Sequence, residues 1–79
     1  MTRQVVVYST PLCVPCEQLK RYLAGKGVAF TVKDLLMDEA AAELLDSLNI
    51  RSAPALGIDG KVYAGADLDP GRIDALLAG

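Results

Sequence analysis

The chain has 79 residues, of which 52% are hydrophobic and 23% charged, with a net charge of −2. This composition argues against a disordered chain and predicts one small, compact domain over residues 1–79. The eight lysines and arginines are scattered, whereas a nucleic-acid surface needs a basic patch. Apolar runs are too short to span a bilayer and no signal peptide precedes the first strand, so we expect a cytoplasmic protein.

The cysteine and histidine counts exclude several kinds of functional site. Two cysteines are too few for the disulfide framework of a small secreted domain. The lack of histidine removes histidine acid–base catalysis and imidazole metal ligands. Cys13 and Cys16 form a close pair, and in a reducing compartment such a pair is more often catalytic or metal-binding than structural.

The first part of the chain predicts a strand, a helix and a second strand. Residues 4–8 are β-branched and apolar, as in a short buried strand. Apolar residues recur at helical spacing over 14–24, and Gly25 and Gly27 are expected to end that helix. Alternation of apolar and polar residues over 28–33 predicts the second strand.

The middle of the chain predicts a second helix. Asp38 is a suitable N-cap for a helix over 39–48. The spacing of the leucines predicts that Leu44, Leu45 and Leu48 share its inner face.

The last part of the chain predicts a hairpin and a third helix. Asp59-Gly60 separates two strand-like runs, 55–58 and 61–64, and this dipeptide suits a two-residue hairpin turn. Asp69-Pro70 combines an N-cap acid with proline at the first helical position. The inner face of that helix is predicted to hold Ile73, Leu76 and Leu77.

The resulting order is β-α-β-α-β-β-α, a four-stranded mixed sheet with three helices. The helical crossover predicts that the first two strands are parallel, and the hairpin adds an antiparallel pair.

The cysteine pair falls between the first strand and the first helix. Unpaired N–H groups and the helix dipole stabilise a thiolate there, and cysteine pKa values in such places fall from about 8.5 to roughly 3.5–7.5. We therefore predict that Cys13 is the nucleophile and that Cys16, one turn further in, is the resolving thiol. Pro15 tolerates this first-turn position and stiffens the spacer after Val14.

Metal binding is the competing interpretation of this pair. A self-contained zinc site needs four ligands, and the chain offers no further cysteine or histidine. An iron–sulfur cluster shared between two copies, or Cu(I) held by soft thiolates, remains an alternative. Small copper chaperones have a different order, β-α-β-β-α-β, which favours the redox interpretation.

Three segments make the chain resemble the glutaredoxins and the similar NrdH-type redoxins: residues 7–16, residues 50–54 and residues 58–65. The resemblance implies a thioredoxin-like fold of the glutaredoxin type and a protein disulfide reductase with no tightly bound cofactor. It also implies that Pro54 is a cis-proline beside the active-site disulfide. The backbone of Ala53 would then pair with a bound peptide or glutathione.

The departures from the family pattern concern the source of electrons. Glutathione-using glutaredoxins typically have Cys-Pro-Tyr-Cys, with a lysine a few residues before the first cysteine. Here Val14 takes the place of the proline in this motif, and Thr10 takes the place of the lysine. Asp67 matches the acid that is expected to hold the glutathione amino group. The same glutaredoxins have a Gly-Gly pair before this acid, and here only its second glycine, Gly65, is present. We expect a monomer that receives electrons from thioredoxin reductase, with glutathione as the rival co-substrate. By family analogy alone, ribonucleotide reductase is a candidate client.

Overall fold

Seven helices and strands follow one another in the predicted order. A computed structural model describes residues 4–51 and 53–78, with only the backbone described at residues 66 and 67. The elements are β1 (Val5–Ser9), α1 (Val14–Gly25), β2 (Thr31–Asp34), α2 (Glu39–Ser47), β3 (Ala55–Ile58), β4 (Lys61–Ala64) and α3 (Pro70–Ala78). A 3-10 helix at Gly65–Leu68, which the sequence patterns did not predict, connects β4 to α3.

The four strands form one mixed sheet in the order β2-β1-β3-β4. β1 is parallel to β2 and antiparallel to β3, and β3 is antiparallel to β4. This confirms the predicted crossover and hairpin. The end of β1, the start of β3 and the end of β4 therefore lie at the same end of the sheet.

The sheet buries a different apolar cluster on each face. Alternation along β1 sends Val7 to one face and Tyr8 to the other. The first face, under α1 and α3, contains Val5, Val7, Leu19, Leu23, Leu56, Ile58 and Ile73. The second face, under α2, contains Tyr8, Ala41, Leu45 and Ala55. Ile73 is buried and Leu76 and Leu77 pack against the first cluster, so the predicted inner face of α3 is confirmed.

The predicted inner face of α2 is wrong in two of its three residues. Ala41 and Leu45 are buried, whereas Leu44 and Leu48 are 41% and 48% exposed. Ala41 and Leu45 are four residues apart and point to the sheet together, whereas Leu44 is rotated by about 100° from Leu45 and lies at the edge of this face. Leu48 is the C-cap residue and follows the last helical residue, Ser47. The predicted N-cap is confirmed, because Asp38 accepts a hydrogen bond from the Ala41 N–H at 3.0 Å.

The second strand begins later than its alternating pattern predicts. β2 covers Thr31–Asp34 and pairs with β1 along its whole length. Val28 and Phe30 pack against the first core cluster without joining the ladder. Their alternation therefore reports burial of a connecting segment rather than strand pairing.

The hairpin turn also holds the beginning of β1. Asp59 and Gly60 have φ values of 50° and 90°, as the Asp-Gly motif predicts. The Asp59 carboxylate accepts a hydrogen bond from the Gln4 N–H at 3.0 Å, and the Asp59 N–H donates to the Gln4 carbonyl at 2.9 Å. A single turn residue thus fixes two chain segments.

A small polar cluster connects α3 to the end of α1. The Tyr22 hydroxyl donates to the Asp74 carboxylate at 2.6 Å, and the Lys26 ammonium lies 2.9 Å from the same oxygen. The hydrogen bond from Tyr22, followed by the one from Lys26, lowers the pKa of Asp74 below its ordinary value of 3.8. In return, the hydrogen bond to Asp74 raises the pKa of Tyr22 and of Lys26.

Asp59→Ala should lower the free energy of unfolding by about 1–2 kcal/mol, because it removes the hydrogen bond from Gln4 and leaves alanine at positive φ. Asp59→Asn keeps both an acceptor oxygen and a side chain that tolerates this conformation, so its loss should stay below about 0.5 kcal/mol. Urea unfolding measures both values. Equal losses for the two variants would contradict the assignment.

The cluster at Asp74 predicts a pH-dependent contribution to stability. Since the folded pKa of Asp74 is lowered, its contribution is complete above the ordinary value and disappears as the pH falls through the folded one. The contributions of Tyr22 and Lys26, whose folded pKa values are raised, are complete below their ordinary values of 10.0 and 10.5 and disappear as the pH rises. The difference in melting temperature between the wild type and Asp74→Asn should therefore be constant near neutrality and shrink at both extremes.

The matched control for this experiment is Asp46→Asn, because the carboxylate of Asp46 lies 4.0 Å from Arg51 in an open pair. Its thermal melts should parallel those of the wild type at every pH. Parallel melts for Asp74→Asn as well would refute the role of the cluster.

Candidate active site

The β1–α1 junction places one cysteine at the helix entrance and the other inside it. Cys13 is the N-cap residue of α1, with extended backbone angles of φ −107° and ψ 105°. Its Sγ accepts a hydrogen bond from the Cys16 N–H at 3.2 Å. Cys16 is only 1% exposed, whereas Cys13 is half-buried. A reagent from solution therefore meets Cys13 first.

The two cysteines are joined in a disulfide. Their Cα atoms are 5.2 Å apart, within the ordinary range for such a bond. One helical turn brings residues at this spacing together without moving the backbone. The two cysteines can therefore form this bond within the first turn of α1.

The two spacer residues are both exposed. Val14 is 67% exposed, and Pro15 lies in the first turn, where its missing N–H breaks no helical hydrogen bond. Thr10, at the end of β1, is half-buried and uncharged. The immediate surroundings of Cys13 on this loop thus contain apolar and neutral residues.

The other predicted binding residues lie at the same end of the sheet as Cys13. The Ala53–Pro54 peptide bond is cis, as the resemblance implies, and directly precedes β3. Gly65 has a φ of 64° and directly follows β4. The side chain of Asp67 lies outside the described part of the structure. The topology therefore brings together the chain segments that the sequence singled out, and their roles in binding remain predictions.

A groove of about 730 Å³ extends from Cys13 along the side of α1 to the edge strand β2. Thr10 and Val14 line its cysteine end, as predicted for substrate-binding residues. Further lining residues, which the sequence patterns did not single out, are Leu12, Glu17, Gln18, Lys20, Arg21, Val32 and Asp34. The i, i+3, i+4, i+7 spacing places Val14, Glu17, Gln18 and Arg21 on one face of α1, but no pattern in the sequence places β2 beside that face.

Leu12, directly before Cys13, combines two uncommon properties. Its φ is 58°, a left-handed conformation that bulky side chains rarely adopt. Its side chain is fully exposed, so no burial compensates for the strain. The loop therefore keeps an apolar side chain in solvent beside the cysteine at a cost in stability.

The described residues contain neither a cluster of three metal ligands nor a helix that could span a membrane. Within residues 4–51 and 53–78, no group of three or more His, Cys, Asp or Glu side chains could hold a metal ion. No helix in these ranges has the length and apolar character needed to cross a membrane.

Comparison with known proteins defines the class to which this fold and site belong. The glutaredoxin family model matches residues 5–63. An uncharacterised glutaredoxin-like 8.6 kDa protein from the rubredoxin operon of Clostridium pasteurianum is 32% identical over 74 residues, covering 92% of this chain and 96% of that one. The chain belongs to the glutaredoxin family, within the thioredoxin superfamily, and is a glutaredoxin-like redox protein with a CxxC pair.

Two solved structures of similar sequence have the same fold. The thioredoxin-like protein BC3987 is 34% identical, with a TM-score of 0.79 over 92% of this chain and 99% of that one. The NrdH-redoxin of Escherichia coli, a glutaredoxin-like protein with a thioredoxin-like activity profile, is 25% identical, with a TM-score of 0.81 over 92% and 93% of the two chains. The predicted thioredoxin-like fold is confirmed.

Leu12→Asn should raise the free energy of unfolding by roughly 1 kcal/mol, because asparagine tolerates positive φ and no buried contact is lost. Leu36→Asn is the matched control, since Leu36 is also exposed but has no positive φ. Urea unfolding compares the two variants. A stability gain at Leu36, or a loss at Leu12, would contradict the strain at Leu12.

Proposed function

We propose that this protein is a thiol–disulfide oxidoreductase that reduces protein disulfides through a dithiol mechanism. The observation that carries the proposal is the unequal exposure of two cysteines bonded to each other at a helix N-terminus. Cys13 is accessible and capped by a backbone N–H, whereas Cys16 is buried. This asymmetry supports Cys13 as nucleophile and Cys16 as resolving thiol.

In the first step, the Cys13 thiolate attacks one sulfur of the client disulfide. A bond forms between Cys13 Sγ and that sulfur, the client S–S bond breaks, and its electron pair leaves on the other client sulfur as a thiolate. The N-terminus of α1 and the N–H of Cys16 favour the charged form of Cys13 before the attack.

In the second step, the Cys16 thiolate attacks Cys13 Sγ. The Cys13–Cys16 bond forms, the mixed disulfide breaks, and the second client thiolate leaves. The client gains two electrons and this protein becomes the disulfide seen in the structure. Burial of Cys16 keeps it from competing in the first step, since only an attack from within the helix turn reaches it.

The electrons for the next cycle come, in this proposal, from the dithiol of a thioredoxin reductase. Exposed Leu12 and Val14 flank Cys13, and the neutral Thr10 precedes them. A lysine in place of Thr10 would favour a glutathione carboxylate by about 1 kcal/mol, so its absence weakens glutathione binding. An apolar surface around the cysteine suits a protein partner better than a small charged peptide. The thioredoxin-like activity profile of the similar NrdH-redoxin agrees with this choice.

The deciding experiment is an insulin reduction assay, run once with NADPH and thioredoxin reductase and once with glutathione and glutathione reductase. Reduction by the wild type should be at least tenfold faster with thioredoxin reductase. Comparable rates with glutathione would overturn the choice of electron donor but not the exchange reaction. Inactivity with both donors would overturn the exchange reaction itself.

Two substitutions test the roles of the cysteines. Cys13→Ser should abolish insulin reduction, since no nucleophile remains accessible. Cys16→Ser should accumulate a mixed disulfide between Cys13 and a client, which mass spectrometry detects as an adduct that dithiothreitol removes. If Cys13→Ser accumulates the adduct instead, the two roles are reversed. A coloured, cluster-bridged dimer after anaerobic purification would favour the iron–sulfur alternative.

A further inference from the structure

We propose that the groove between α1 and β2 binds an extended, acidic segment of the client protein, with Arg21 as its ion-pair partner. This inference rests on the proposed thiol–disulfide exchange, because the same client would react with Cys13. The groove begins at the disulfide and leads away from it, so a segment bound there is continuous with the reacting cysteine of the client.

One side of the groove is a stripe along α1. Val14, Glu17, Gln18 and Arg21 are spaced so that they share one face of the helix, and all four are exposed. The opposite side is the edge strand β2, where Val32 and Asp34 line the groove. Val32 is opposite Val7 and Asp34 is opposite Ser9, so Asp34 lies at the cysteine end and Val32 further along.

The charged residues of the groove indicate that the bound client segment is acidic. Glu17 forms an ion pair with Lys20, so these two charges compensate each other. The Asp34 carboxylate accepts a hydrogen bond from the Leu36 N–H at 2.8 Å. Among residues 4–51 and 53–78, Arg21 has no ion pair. The negative charge of Asp34 lies at the cysteine end of the groove, whereas the far end has the positive charge of Arg21, which complements a carboxylate.

The length of the groove sets the position of that carboxylate in the client. Arg21 follows Cys13 by eight residues, which corresponds to about 12 Å along a helix. An extended chain covers this distance in about four residues. An aspartate or glutamate four positions from the reacting cysteine would therefore reach Arg21, while apolar residues between them would lie against Val14 and Val32.

The experiment uses short peptides whose single cysteine carries thionitrobenzoate in a mixed disulfide. The reduced protein attacks the peptide sulfur, releases coloured thionitrobenzoate, and then closes the Cys13–Cys16 disulfide to release the peptide thiol. One pair of peptides has Glu or Gln four residues before the cysteine, and a second pair has them four residues after it. In one of the two pairs, kcat/KM at low salt should be about three- to fivefold higher for Glu than for Gln.

Three variants show which residue causes the preference for the Glu peptide. Arg21→Gln should remove the preference for Glu, so that the Glu and Gln peptides of each pair react at equal rates. Arg21→Lys should keep most of the preference. Lys61→Gln is the matched control, because Lys61 is an exposed cation at the hairpin end of the sheet, away from Cys13, and this variant should keep the whole preference. Moderate salt should weaken the preference, since the pair is exposed to solvent.

The outcomes separate this inference from the proposed function. Two results would overturn the proposal that the groove binds an acidic segment, while leaving the exchange reaction intact. They are equal rates for the Glu and Gln peptides in both pairs, and a preference for Glu that survives Arg21→Gln. No thionitrobenzoate release from any peptide, or undiminished release by Cys13→Ser, would overturn both proposals. Sedimentation that shows a dimer dissociated by Arg21→Gln would identify a second copy as the occupant and refute the client segment.

Discussion

The hydrogen bond from the Cys16 N–H to Cys13 Sγ is the interaction on which the rest of this site depends. A helix leaves its first N–H groups unsatisfied, and a side-chain oxygen of the N-cap residue usually accepts one of them. Here a sulfur takes that place, so helix capping and thiolate stabilisation use one atom. Helix α1 therefore begins at Cys13, the proposed nucleophile, and its first turn determines which cysteine is accessible.

Packing against the sheet holds the first turn of α1 in place. Cys16, Leu19 and Leu23 follow one helix face and are all buried, so the turn that contains Cys16 packs against the sheet. Across the sheet, the absence of a side chain at Gly57 leaves room for Tyr8, whose ring carbon would lie 3.1 Å from an added Cβ. Tyr8 anchors the end of β1 immediately before the loop. Packing on both faces thus fixes where the loop starts and where the helix begins.

Interactions between residues that are close in sequence made most of the fold predictable. Caps and turns such as Asp38 and Asp59-Gly60 act on their nearest neighbours, and their predictions were confirmed. The inner face of α2 was mispredicted because Ala41, a small residue with no strong apolar signal, faces the sheet in place of Leu44. The groove and the conformation of Leu12 could not be derived from residue patterns, because both depend on how the loop and β2 lie beside α1 in three dimensions.

The placement of apolar and charged residues separates reactivity from selectivity. The cysteine end of the groove, with Leu12 and Val14, is close enough to Cys13 for any disulfide to contact it. Arg21 lies about two helical turns away, beyond the reach of a small disulfide but within the reach of a polypeptide. In the proposed exchange reaction, a small thiol would contact only Cys13 and its neighbours, whereas a protein client would also contact Arg21. Since an exposed ion pair contributes little energy, the proposed contact with Arg21 would change the rates of protein clients without binding any of them tightly, which suits a carrier that must release each one.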